Sequence, residues 1–177
     1  MRFLNALLPL FLILTACGPS HEGTVTYRVS LKPGDVTVST ITEDVRVDPE
    51  DAQWKAFLSQ ARATLEQAPT HFEVTDVRVQ LDVTKSKNVS TLQDVVTGDV
   101  TLFLRSDETG PQVEIAEVED PTGSAQVSMD TTGASLETLE ANLARGDFRL
   151  GVRANTPKTS GSDFEATLTF TLDVTAR

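Results

Sequence analysis

From Phe164 to Val174 every second residue is apolar: Phe164, Ala166, Leu168, Phe170, Leu172 and Val174 alternate with Glu165, Thr167, Thr169, Thr171 and Asp173. A period of two puts one set of side chains on each face of a strand, so this run predicts a long strand with one buried and one solvated face. The same alternation recurs along most of the chain. Val25, Tyr27, Val29 and Leu31 oppose Thr24, Thr26, Arg28 and Ser30, and Phe148, Leu150, Val152 and Ala154 form a further inward set. Lys32-Pro33-Gly34-Asp35 reads as a turn, which predicts a hairpin from the first strand into Val36–Ile41 with a continuation at Val45–Val47. The loop Thr156–Ser162 is expected to join the last two strands as a second hairpin.

Two departures from simple alternation carry information. Phe72 and Val74 share one parity while Val77, Val79, Leu81 and Val83 share the other, so the inward face switches near Thr75-Asp76, as at a bulge or a crossing between sheets. Phe103 lies opposite Val100, Leu102 and Leu104, which implies that both faces of that strand are covered or that it is shielded by a helix. Further strands are expected around Val113 to Glu119 and Ala125 to Met129.

The period changes twice. After Asp48-Pro49-Glu50-Asp51, with Asp48 read as the N-cap and Pro49 as the first helical residue, Trp54, Phe57, Leu58, Ala61 and Leu65 form the apolar stripe of a helix ending near Ala68-Pro69. A second helix is expected from about Ser135, with Leu136, Leu139 and Leu143 on one side and Gly146 as its C-terminal cap. Seven to nine strands with frequent turns predict a mainly β fold: an antiparallel two-sheet sandwich, Ig-like or jelly-roll-like, with two short helices in the connections. A closed barrel is the alternative.

Composition removes several function classes. The 177 residues are 39% hydrophobic, enough for one core, and contain one Cys and two His, His21 and His71, so neither a disulfide within the chain nor a cysteine or three-histidine zinc site is expected. Lys and Arg number 15 against 26 Asp and Glu, a formal charge of −11, which opposes non-specific binding to nucleic acid or to an anionic membrane face.

The N-terminus sets the compartment. Met1-Arg2-Phe3-Leu4-Asn5 precedes a run from Ala6 to Ala16 in which only Thr15 is polar; this suits a secretory signal peptide and is too short to span a bilayer. The run ends in Leu14-Thr15-Ala16-Cys17, and Cys17 is the single cysteine of the chain. These four residues resemble the lipobox of bacterial lipoproteins at every position. The resemblance covers residues 1–17 only, and for the mature domain no specific family is identified.

The resemblance implies that signal peptidase II recognises Leu14, Thr15 and Ala16 and cuts before Cys17. It also implies diacylglycerol on the Cys17 thiol and often a palmitate-type acyl group on the new amine. No cofactor is expected. Removing residues 1–16 takes away Arg2 and leaves a formal charge of −12. Gly18 stands where an inner-membrane retention Asp would be, which favours the outer membrane where the source has one. The expected organisation is a signal peptide at 1–16, a lipidated Cys and flexible tether at 17–22, and one domain at 23–177.

Catalytic signatures are sparse. His71 reads as a boundary residue at a strand start, and no nucleophile elbow, phosphate loop or zinc-protease motif occurs. The acidic runs Glu117, Glu119, Asp120 and Asp48, Glu50, Asp51 lack a calcium-loop pattern and read as solvated faces. Asn88-Val89-Ser90 and Arg145-Gly146-Asp147 are read as chance matches to a glycosylation sequon and an adhesion tripeptide. Arg149 and Arg153 are expected to pair across strands with Glu165 or Asp173. The function expected is a lipid-anchored, non-enzymatic binding or structural module at the cell envelope, membrane-attached through Cys17, with an envelope protein or an apolar ligand as its partner. The alternative is a periplasmic carrier enclosing a lipid or other apolar ligand in a cavity of about 300 Å³ or more.

Overall fold

The computed structural model describes residues 18–177. Its elements are β1 (His21–Leu31), β2 (Val36–Thr37), β3 (Thr40–Val47), α1 (Ala52–Leu65), β4 (Phe72–Leu81), β5 (Thr97–Arg105), β6 (Val113–Glu119), β7 (Val127–Thr131), α2 (Glu140–Arg145), β8 (Phe148–Asn155) and β9 (Ala166–Ala176). All strand pairings are antiparallel. One layer runs β1-β9-β4-β7 and the other β6-β5-β8-β3-β2; a short β6–β7 pairing, Ala116 with Thr131 and Glu117 with Asp130, carries one layer into the other. The expected mainly β, sandwich-class architecture with two helices in the connections is what the chain forms.

The inward sets read from the sequence meet between the layers. Val25, Val29 and Leu31 of β1, Leu168, Phe170 and Leu172 of β9 and Val77, Val79 and Leu81 of β4 face Ile41, Val100, Leu102, Leu150 and Val152 of the second layer, all buried in one core. The parity switch in β4 is a bulge, its register against β9 slipping between Val74 and Asp76. The extra residue lets Phe72 and Val77 both point inward.

Connectivity differs from the two expected hairpins. β1 pairs along its whole length with β9, His21 opposite Ala176 through Leu31 opposite Ala166, and not with β2. Pro33–Asp35 forms a 3₁₀ turn closed by the Asp35 carboxylate on the Lys32 N–H at 2.6 Å, which turns the chain out of the sheet plane and into the other layer. There β2 pairs with β3 through the two-residue loop Val38-Ser39. Likewise β8 pairs with β3 and β5 while β9 pairs with β1 and β4, so the Thr156–Ser162 loop crosses between layers. Alternation reports which face of a strand is buried and is blind to which sheet the strand joins.

Helix and tether boundaries also move. Asp48 accepts from the Glu50 N–H at 2.8 Å, an Asx turn, and the helix cap is Asp51, whose carboxylate accepts from Trp54 N–H at 2.9 Å. Helix α2 is only six residues, because the Ser135 hydroxyl engages the Glu137 N–H in a local turn that competes with helix there. Leu136, Leu139 and Leu143 are nevertheless all buried, and Gly146, at φ +72°, caps the helix as expected. His21 and Glu22, read as tether, already pair in β1, which leaves Gly18-Pro19-Ser20 before the first strand.

Strand β1 is an edge, and α1 covers it. The Gln53 side-chain amide accepts from the Thr26 N–H at 2.9 Å and donates to the Thr26 carbonyl at 2.7 Å, mimicking a neighbouring strand. Tyr27 in the same strand donates to Asp51 at 3.2 Å; burial, reinforced by that carboxylate, pushes its phenol far above the ordinary range, so it stays a donor. At the opposite end of the second layer, Val38 occupies the β2–β3 loop at φ +61° and is almost wholly exposed. A β-branched residue there is sterically strained with no packing in return. The Val38→Gly variant is expected to be more stable by about 1 kcal/mol, read as a rise in the urea midpoint at unchanged slope.

Candidate functional site

Leu14, Thr15, Ala16 and Cys17 lie outside the described residues, so the geometry available is that of the surface onto which they lead. Gly18, Pro19 and Ser20 are exposed and enter β1 at His21. The His21 ring sits 5.5 Å from Phe57 of α1, and its Nδ1 is 3.3 Å from the Thr64 hydroxyl. Phe57 lies directly over Gly23, where a Cβ would come within 2.7 Å of the ring, so the absence of a side chain on Gly23 lets helix and strand close on each other. The chain therefore leaves the fold beside α1.

Helix α1 is locked to α2 through Trp54. Its indole Nε1 donates to the Leu143 carbonyl at 2.8 Å, and its rings stand 5.0 Å from Phe57, 6.0 Å from Phe72 and 4.9 Å from Phe148. A Cβ on Gly146 would meet Trp54 at 3.0 Å, so this position requires glycine for space as well as for its positive φ. Between the helices lies an open groove of about 430 Å³ lined by Pro49, Trp54, Lys55, Leu58, Arg62, Ala144, Arg145 and Gly146. The adhesion-like tripeptide thus serves the fold: Gly146 caps α2, and Asp147 is held by Arg46 at 3.0 Å.

A second cleft, of about 280 Å³, opens where β4 and the segment after β7 diverge. It is lined by Phe72, Glu73, Val74, Ile115, Gly133, Ala134, Ser135 and Leu136, with His71 at its rim. His71 Nδ1 is 2.7 Å from Glu140, and its backbone pairs with Arg177. Between the two layers, by contrast, the apolar void bounded by Tyr27, Trp54, Leu136 and Phe148 amounts to about 10 Å³, room for no more than about one water molecule.

The outer face of the second layer holds an ionic cluster that the sequence reading missed. Phe103 is fully buried yet stands on the opposite face from the main core, packed onto Gly151, where a Cβ would fall within 2.3 Å of its ring. Over it Asp44, only 6% exposed, binds Arg105 and, at 2.5 Å, Arg149. Glu108 of the β5–β6 loop adds its carbonyl to Arg105 at 2.6 Å and its carboxylate to Arg149 at 3.3 Å. Arg153 pairs with Glu114 and Gln112. The predicted partners Glu165 and Asp173 are taken elsewhere, by Lys32 at 3.6 Å and by Arg78 at 2.7 Å. The misassignment follows from the connectivity: β8 does not neighbour β9.

The remaining motif residues are either held by the fold or face solvent. Asn88, at φ +56°, donates to the Asp163 carbonyl at 2.9 Å; Asp120 accepts from Gly98 N–H at 2.6 Å; Glu117 and Glu119 lie outward on β6. Among the described residues no three His, Cys, Asp or Glu converge in a metal-holding group, and no helix is long and apolar enough to cross a membrane.

No protein-family model and no curated protein matches the sequence. Among solved structures, the decameric BFDV capsid protein is similar at 10% identity and a TM-score of 0.35, over 89% of this chain and 98% of that one. The giant freshwater prawn Macrobrachium rosenbergii extra small virus VLP is similar at 12% identity and a TM-score of 0.21, over 99% and 94%. Likeness at this level carries no inference about function.

Two outcomes test the electrostatics. The Asp44→Ala variant leaves Arg105 and Arg149 facing each other over Phe103 and is expected to lose about 3 kcal/mol of stability, measured by urea unfolding. Asp94 accepts from the backbone N–H groups of Ser90 and Thr91, which holds its pKa down at about 2. A depressed carboxylate stabilises the fold above its unfolded pKa near 4 and loses that contribution as pH falls towards 2. Asp94→Asn should therefore lower the melting temperature at pH 6 and flatten its fall between pH 4 and 2.

Proposed function

We propose that this chain is a lipid-anchored, non-enzymatic lipoprotein of the cell envelope, whose β-sandwich acts as a binding or structural module. The observation that carries the reading is Leu14-Thr15-Ala16-Cys17 at the end of a signal-length apolar run, with the chain's single Cys at the position the lipobox requires. The start of the fold supports it. β1 begins at His21, so Cys17 is followed by three residues and then by a strand paired along its whole length. One acyl chain holds a protein to a bilayer only marginally, whereas two or three together hold it durably, so the domain needs no spanning segment of its own.

The packed interior favours a module over a carrier. A carrier requires an enclosed apolar cavity of about 300 Å³ or more, and the apolar void between the layers bounded by Tyr27, Trp54, Leu136 and Phe148 is about 10 Å³. The larger clefts are open to solvent. Outer-membrane placement, in a source that has such a membrane, rests on Gly18 at the position after Cys17.

Metabolic labelling with a palmitate analogue tests the anchor. Wild type is expected to take up label and to partition with membranes, and Cys17→Ser to lose the label and accumulate as uncut precursor. Equal label in both would overturn the reading.

A further inference from the structure

The groove between α1 and α2 is distinguished by its charge. Of the 14 Lys and Arg in the described residues, ten are ion-paired; Arg62, Lys85, Arg145 and Lys158 are not. Two of those four, Arg62 and Arg145, border this one groove, and both are exposed. A third cation on its rim, Lys55, is held by Glu50 at 2.6 Å. Asp147, two residues beyond Arg145, is already occupied by Arg46. In a chain with 26 acidic residues, α1 runs fourteen residues from Ala52 to Leu65 without one. The floor between the arginines is apolar, made by Trp54, Leu58 and Ala144. Two unpaired guanidinium groups above an apolar floor match a ligand that joins an anionic head to hydrocarbon.

The position of the groove identifies the source of such a ligand. From Cys17 to His21 is four residues, which reach at most about 14 Å when extended. His21 is packed on Phe57 and beside Thr64 of α1. The groove residues Trp54, Leu58 and Arg62 lie roughly a third of a turn round the same helix, at 100° per residue. An anchor on Cys17 therefore holds this flank of α1 beside the lipid headgroups. At a Debye length of about 10 Å remote charges are screened, and of the carboxylates that flank the groove Asp48 and Asp51 accept from backbone N–H groups, Glu50 holds Lys55 and Asp147 holds Arg46.

Resting on the lipid-anchor reading of Cys17, we propose that the α1–α2 groove seats the phosphate headgroup of an anionic lipid of the membrane in which the chain is anchored. Arg62 and Arg145 engage the phosphate, and the upper acyl carbons lie against Trp54 and Leu58. The contact orients the domain, with α1 towards the bilayer and the ionic cluster on the outer face of β3, β8 and β5 directed elsewhere.

Trp54 is the only tryptophan of the chain and forms the floor of the groove, so it is a built-in reporter. The full acylated chain is reconstituted in phosphatidylcholine vesicles and in vesicles containing phosphatidylglycerol, each with brominated acyl chains, and Trp54 emission is followed. Flotation of the same samples reads the anchor independently. The expected result is quenching that rises with phosphatidylglycerol, weakens with salt, and requires about thirtyfold more anionic lipid in Arg62→Gln/Arg145→Gln, while flotation is unchanged. The Lys85→Gln/Lys158→Gln variant removes the same charge away from the groove and should respond as wild type.

Equal quenching in both vesicle types, an unaltered response in the double arginine variant, or an equal loss in the lysine variant would overturn the proposal. So would a Trp54 response to inorganic phosphate or to a polyglutamate peptide as strong as that to the lipid. If the chain fails to float on either vesicle, the anchor reading fails. The groove is then read separately by titrating soluble dihexanoyl phosphatidylglycerol against dihexanoyl phosphatidylcholine, and a preference for neither ends the proposal as well.

Discussion

The pairing of β1 with β9 is the contact on which the rest of the architecture depends. All eleven residues of each strand take part, and β9 is gripped on its other edge by β4 from Phe72 to Leu81. The inward residues of these three strands supply one wall of the core, and the second layer closes over it through Leu102, Leu150 and Val152. Without β9 the first layer falls into β1 alone and the β4–β7 pair, whose apolar faces have nothing in common. The pairing also brings the start of the described chain against its far end, next to α1.

Helix α1 joins fold to function. Its apolar stripe and its Asp51 cap are ordinary folding devices, and its Gln53 amide seals the exposed edge of β1 at Thr26. The same fourteen residues leave their charged positions to cations alone, and the Trp54 indole fixes α2 at the distance that makes a groove between the helices. Edge protection, core packing and a basic margin are thus consequences of one short segment.

Much of this was legible in the sequence where burial alternates with position. The long final strand, the bulge in β4, the buried second face of β5 at Phe103, the stripe of α1 and the capping role of Gly146 all follow from periodicity or from backbone freedom. Strand partnership did not follow. Lys32-Pro33-Gly34-Asp35 is a good turn in either an in-plane hairpin or a crossing between layers, and only the 3₁₀ geometry distinguishes them. Because Arg149 and Arg153 take their partners across strands, the wrong neighbour gave the wrong carboxylates, and the Asp44 cluster went unseen. The groove was equally hidden, since Arg62 and Arg145 are 83 positions apart; its one trace in the sequence is the absence of acidic residues from α1.

The placement of β9 between β1 and β4 has a consequence for biogenesis. Synthesis proceeds from the N-terminus, so β1 emerges first and its neighbour last, separated by almost the whole length of the polypeptide. Until the final segment arrives, the greasy side of β1 and of β4 must be shielded by something other than their native mate. Completion of the first layer is thus a late event. A polypeptide cut short before Ala166 would present two orphan ribbons to chaperones and proteases, not a slightly weakened domain.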